Sequence, residues 1–124
     1  MTKPLALVFY EKPLPGQQLA NRLQDLGYKV QVLTNAANLA GQVTEKSPML
    51  LVAEFSGANP DVGAALSSIK QNPDTTHVAV LVYIPGATPA LQQAARAAGA
   101  NLTVSERGVL DQLPELLDQV LSID

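Results

Sequence analysis

Met49-Leu50-Leu51-Val52-Ala53-Glu54-Phe55 is a continuous apolar run whose single charge stands near its far end. Leu5–Tyr10 (Leu-Ala-Leu-Val-Phe-Tyr) has the same make-up, with Glu11 just beyond it. Neither run alternates polar with apolar residues, so neither fits a strand with one face in water. A parallel strand covered by helices on both faces reads this way. Open sheets of such strands carry their function just beyond the carboxyl ends. Phe9, Tyr10, Glu11 and Glu54 stand there.

Outward from these two runs the chain alternates regularly. Pro13 to Gly16 opens a first helix with Leu19, Leu23 and Leu26 on one stripe, and Gly27 stands where a left-handed helix end is expected. Lys29–Leu33 is a half-buried second strand. A second helix spans Ala36–Lys46, buries Leu39, Ala40 and Val43, and stops before Ser47-Pro48. After the third strand, Asn59-Pro60 gives an N-cap followed by proline at the first helical position, and Val62, Leu66 and Ile69 form the apolar stripe. Val78–Ile84 is a fourth buried strand, and Thr88-Pro89 repeats the cap signal before an alanine-rich helix, Ala90–Ala98, ending at Gly99. A short strand, Asn101–Ser105, precedes a last amphipathic segment with Leu110, Leu113 and Leu117; Pro114 within it delays the regular helix. Five strand–helix units predict an α/β, flavodoxin-like three-layer sandwich: a five-stranded parallel sheet of order 2-1-3-4-5 with five helices.

The 124 residues fit one domain, 1–124, able to bury a real core. No apolar run approaches the ~20 residues of a membrane span. Met1-Thr2-Lys3-Pro4 leads into the first strand without a small-residue cleavage site, so no signal peptide is expected. The chain has no cysteine, which excludes disulfides and thiolate metal sites; a cytoplasmic location is the default. Eight basic residues are scattered through a chain of net charge −3. Phosphate-tracking surfaces need them clustered, so no nucleic-acid contact is expected. His77, the sole histidine, has no partner at motif spacing for a triad or a zinc site. Neither a dinucleotide nor a P-loop glycine motif occurs.

Particular words add a resemblance. Asn72-Pro73-Asp74-Thr75-Thr76-His77-Val78-Ala79-Val80 is similar to the stretch by which response-regulator receivers leave their third helix and enter strand four. Ala97-Ala98-Gly99-Ala100-Asn101 resembles the segment that ends their fourth helix, and Pro48 to Glu54 resembles the strand that finishes in their phospho-accepting aspartate. The resemblance spans nearly the whole chain and implies a receiver fold. It also implies a changed site. Where receivers place two acids for magnesium, this chain has Phe9-Tyr10, then Glu11. Glu54 takes the acceptor position, one methylene longer than aspartate. The switch hydroxyl falls on Val82, or on Tyr83 in a register slipped by one. The lysine after strand five falls on Ser105 or Glu106, which removes or reverses the charge clamp.

These departures imply a degenerate, non-catalytic pseudo-receiver, not an enzyme, without metal or cofactor. It would act by contact with other signalling proteins in signal transduction, with no nucleic acid and no membrane. Its strand-end rim would comprise Tyr10, Glu11, Ser56, Val82, Tyr83, Ser105 and Glu106, around Glu54 as the degenerate acceptor position. Three readings of Glu54 stand side by side: a covalent acceptor, a fixed charge imitating an activated receiver, or a partly exposed strand-end carboxylate satisfied by water or by N–H groups opening helix three. Tyr10 and Tyr83 read as plugs with their hydroxyls toward solvent. Gln92, Gln93 and Arg96 outline an interface on helix four, through which receivers pair together with strand five and helix five. Two further functions remain open. One is a divergent receiver still phosphorylated through Glu11, Glu54 and a divalent ion. The other is a small-ligand module with a pocket beside Tyr10 and Tyr83.

Overall fold

The computed structural model describes residues 4–57, 60–86 and 88–121. Strands β1 (Leu5–Phe9), β2 (Lys29–Leu33), β3 (Leu50–Glu54), β4 (Ala79–Ile84) and β5 (Leu102–Ser105) form one parallel sheet in the order 2-1-3-4-5. Pairing places Val8 beside Val52 and Val52 beside Leu81, so side chains of equal level on the three central strands share a face.

Among the described residues six helices cover the sheet: α1 (Pro13–Asp25), α2 (Leu39–Lys46, after a 3-10 turn at Ala36–Asn38), α3 (Pro60–Gln71), α4 (Pro89–Ala97), α5 (Glu106–Val109) and α6 (Leu113–Leu121). The count exceeds the expected five because the last amphipathic segment is broken at residues 110–112. Pro114 then stands in the first turn of α6, where its missing N–H leaves no intrahelical bond unmade. The strands are also slightly shorter than the apolar runs: Tyr10, Met49 and Phe55 lie just outside them.

Strict alternation builds two cores. Leu7, Phe9, Leu51, Ala53, Phe55, Val80, Val82 and Ile84 face α2, α3 and α4. Ala6, Val8, Tyr10, Leu50, Val52, Leu81 and Tyr83 face α1, α5 and α6. β1, β3 and β4 are buried on both faces, as their unbroken apolar sequences require.

The family-like words have physical reasons. Thr75 is buried and its hydroxyl donates to the Ile69 carbonyl at 2.7 Å, closing the end of α3; the Asn72 side chain accepts from the Asp74 N–H at 2.9 Å. The Asn101 side chain accepts from the Val80 N–H at 2.8 Å and from Lys70 Nζ at 2.7 Å. Lys70 Nζ also donates to the Val78 carbonyl at 2.7 Å. Gly99 stands at φ +115°, and a Cβ there would lie 2.4 Å from the Lys70 stem. Left-handed backbone and close approach together demand glycine at that place. The Thr88 cap is formed, its side chain accepting from the Leu91 N–H at 3.2 Å. The expected cap at Asn59 lies outside the described residues.

Candidate functional site

Register brings three side chains into one row at the carboxyl end of the sheet. Glu54 pairs with Tyr83, and Tyr10 follows the last β1–β3 pair, Phe9 with Ala53. All three are on the α1 side. Tyr10 is fixed as its N–H donates to the Leu33 carbonyl at 3.2 Å. Its ring lies against Gly16, where a Cβ would fall 2.2 Å from the ring carbon Cδ2. Glycine there is needed for space.

Glu54 is 1% exposed. Its Oε1 accepts from the backbone N–H groups of Glu11 and Lys12, each at 3.3 Å, and from the Tyr83 hydroxyl at 3.5 Å. A carboxylate taken out of water needs such donors. Consecutive loop N–H groups aimed at one oxygen form an anion seat, and this seat is filled by the protein's own side chain. Tyr83 is fully buried. Burial, then the negative charges of Glu54 and Glu106, push its hydroxyl well above the usual tyrosine range and keep it a neutral donor.

Glu54 is thus deeper than the partly exposed carboxylate expected from sequence, and among the described residues its donors come from the β1–α1 loop and β4. Tyr83 points its hydroxyl at Glu54 instead of solvent. Val82, counted with the rim on sequence grounds, is fully buried on the opposite face, because alternation turns it toward α3 and α4. The last β4 residue on that face is Ile84, which pairs with Ser105. Tyr10 is buried; Glu11 and Ser105 are exposed, and Ser56 and Glu106 half-buried. The rim is therefore built from fewer residues than the sequence indicated. Gln93 and Arg96 are exposed on α4 and Gln92 is half-buried.

Phe9 is also fully buried, facing α2 and α3, so the pair in the metal-ligand places projects to opposite sides of the sheet. Among the described residues no group of three His, Cys, Asp or Glu could hold a metal ion. A groove of about 700 Å³ lies on the rim between Leu14, Pro15, Ile84, Glu106 and Arg107. Tyr10 lines a smaller trough of about 370 Å³ with Val30 and Val32. Tyr83, by contrast, is walled in by the α1–α6 core. A cavity of about 740 Å³ sits at the opposite end of the sheet, beside Met49, Lys70 and His77.

Sequence reasoning missed the Gly16 seat and the two loop N–H groups. Gly16 reads as a turn residue until the Tyr10 ring is placed over it, and backbone donors carry no signature of residue type. Gly16→Ala is expected to cost about 1–3 kcal/mol by forcing the ring aside. The penalty should shrink in a Tyr10→Ala background, as a double-mutant cycle by urea denaturation measures.

No family model and no curated protein matches the sequence. Solved structures do match. A protein from Chloroflexus aurantiacus described as a response regulator superposes with a TM-score of 0.87 at 17% identity, covering 98% of this chain and 100% of that one. The response regulator domain of Thermotoga maritima CheB gives 0.79 at 16% identity, covering 99% of both chains. The signal receiver domain of a protein from Vibrio parahaemolyticus described as a Luxo repressor gives 0.81 at 15% identity, covering 97% of this chain and 91% of that one. The chain has the flavodoxin-like fold of response-regulator receivers.

Proposed function

We propose that this chain is a receiver-like signalling domain that works by contact with other proteins and does not accept phosphate. One observation carries the reading: the only carboxylate at the acceptor position is buried and engaged by Glu11 N–H, Lys12 N–H and the Tyr83 hydroxyl. Phosphoryl transfer needs a nucleophilic oxygen open to in-line approach and a divalent cation to neutralise the transferred group. Here the oxygen is enclosed, and the neighbouring β1 positions hold a phenyl and a phenol ring. The same carboxylate, fixed to the β1–α1 loop, holds that loop in one arrangement without a modification cycle.

Binding would then depend on a constant surface. The rim offers Glu11, Ser56, Ser105 and Glu106. The α4 face offers Gln93 and Arg96 with exposed Ala90 and Ala94, small enough for a second copy to approach closely, and pairing through α4, β5 and the α5–α6 segment belongs to this reading. So do a single domain over 1–124 and a cytoplasmic location.

The test is intact-mass measurement after incubation with magnesium and acetyl phosphate. No phosphoryl increment is expected. An increment lost in Glu54→Gln would instead establish a divergent but active receiver.

A further inference from the structure

We propose that β2 is a dimerisation edge: it pairs antiparallel with β2 of a second copy about a two-fold axis at Gln31, so that the two sheets run on into one. This interface lies at the opposite end of the sheet from β5. It rests neither on pairing through the α4 face nor on the fate of Glu54.

Sheet order leaves β2 with one neighbour, β1, among the described residues. The Lys29 N–H donates to the Pro4 carbonyl at 2.8 Å, and the Leu33 carbonyl accepts from the Tyr10 N–H at 3.2 Å. A parallel ladder engages every second residue of a strand with a given neighbour, so Lys29, Gln31 and Leu33 bond toward β1. Val30 and Val32 therefore turn their N–H and C=O groups to the open side. Such an edge is a template for another strand unless proline, charge or a bulge blunts it. Within Lys29–Leu33 the only charge is at the first position, and no proline occurs. Val32 is 41% exposed. With Val30 it opens onto the trough beside α1, whose other walls include the uncharged Gln17, Asn21 and Gln24. On β5, the other edge, Leu102 and Val104 are both half-buried.

The sequence of β2 is complementary to itself, as an isologous contact requires. Antiparallel pairing about Gln31 sets Val30 against the partner's Val32, and Val32 against the partner's Val30, as hydrogen-bonded pairs that exchange both bonds. Cross-strand pairs of β-branched residues are favourable, and these would join the two troughs into one apolar seam. A two-fold axis at Val30 or at Val32 would instead leave one valine opposite the partner's Tyr28 or the partner's Thr34. Gln31 meets the partner's Gln31 on the α2 side, where each amide can both donate and accept. Lys29 lies opposite the partner's Leu33. The two Lys29 residues are then about 13 Å apart along the strands, at ~3.3 Å per residue. That separation exceeds the Debye length of about 10 Å at 0.1 M salt, so the like charges are largely screened.

Cross-linking tests this, since the chain has no cysteine. Gln31→Cys places two thiols on a non-hydrogen-bonded pair with Cα atoms about 4.5 Å apart, within the disulfide range of about 4.4–6.8 Å. Mild oxidation of the folded full chain should give the covalent dimer at least about tenfold faster than in Lys29→Cys, whose thiols are held apart. Val32→Lys added to Gln31→Cys should slow the reaction about tenfold, because it puts an ammonium in the seam. Sedimentation velocity of the cysteine-free chain should show a monomer–dimer equilibrium that Val32→Lys shifts to monomer. Equal cross-linking of Gln31→Cys and Lys29→Cys overturns the proposal, as does a wild-type chain still monomeric at about 1 mM, the weak end of specific association. So does a dimer that Val32→Lys leaves intact, the result expected of pairing through α4 alone. Should Val32→Lys fail to fold, the comparison of Gln31→Cys with Lys29→Cys decides.

Discussion

Replacing Phe9 by aspartate, the residue type a receiver carries there, is expected to unfold the protein and to furnish no metal ligand. Phe9 is fully buried on the α2–α3 face, between Leu33 on β2 and Ala53 on β3. Deleting such a ring costs about 3–5 kcal/mol through lost burial and the cavity left behind. A carboxylate in its place adds the penalty of an unpaired charge in an apolar surround. Together these rival a typical total stability of about 5–15 kcal/mol. Urea denaturation followed by far-UV circular dichroism should show Phe9→Asp largely unfolded without denaturant. Phe9→Leu should stay folded with a loss of about 1–2 kcal/mol. Magnesium added to the Phe9→Asp, Glu54→Asp double variant should restore nothing. Recovery of a cooperative transition by the metal would mean that the acidic site is latent in this backbone, against the reading of a core that has closed over it.

That closure explains which parts of the molecule were legible in the sequence. β1, β3 and β4 could be read because burial on both faces leaves an unbroken apolar signature. The sheet order followed from right-handed crossovers over short connections. Thr88-Pro89 announced its helix because capping chemistry is local. The site was legible only as a set of replacements. Which way Glu54 turns depends on how β1, β3 and β4 align, and a shift of one residue sends a side chain to the other face. Val82 joins the rim only through the resemblance to the receivers' switch position, whereas the alternation of Val80, Val82 and Ile84 puts it in the α3–α4 core. The donors to Glu54 could not be read either, since two are backbone groups of a loop more than forty residues away in sequence. The break before α6 has a local cause that Pro114 signalled, but the short α5 turn that precedes it carries no comparable mark.

Glu54→Leu is expected to destabilise the protein by about 2–3 kcal/mol, since it strips three donors of their acceptor while keeping the side chain near in size. Two of the donors belong to exposed loop residues that water reaches, so most of the loss should fall on the buried Tyr83 hydroxyl. Tyr83→Phe alone should cost about 1 kcal/mol, because its bond at 3.5 Å is long. The double variant should lose less than the sum of the two, since each change removes the partner that the other leaves stranded. Alkaline pH gives an independent reading of the same pair. Burial first, and the Glu54 charge second, raise the Tyr83 hydroxyl above its unfolded value near 10. The folded state therefore keeps a proton that the unfolded chain releases. Its contribution is complete below that value and declines as pH climbs past it, by about 1.4 kcal/mol per pH unit. Tyr28, also raised by burial and by Asp118, is common to both proteins and cancels in the comparison. The stability of wild type relative to Tyr83→Phe should thus be constant below pH 10 and fall above it. A constant difference across that range would show that the phenol ionises freely in the folded protein, and the enclosed carboxylate–phenol pair on which the inert acceptor position rests would have to be abandoned.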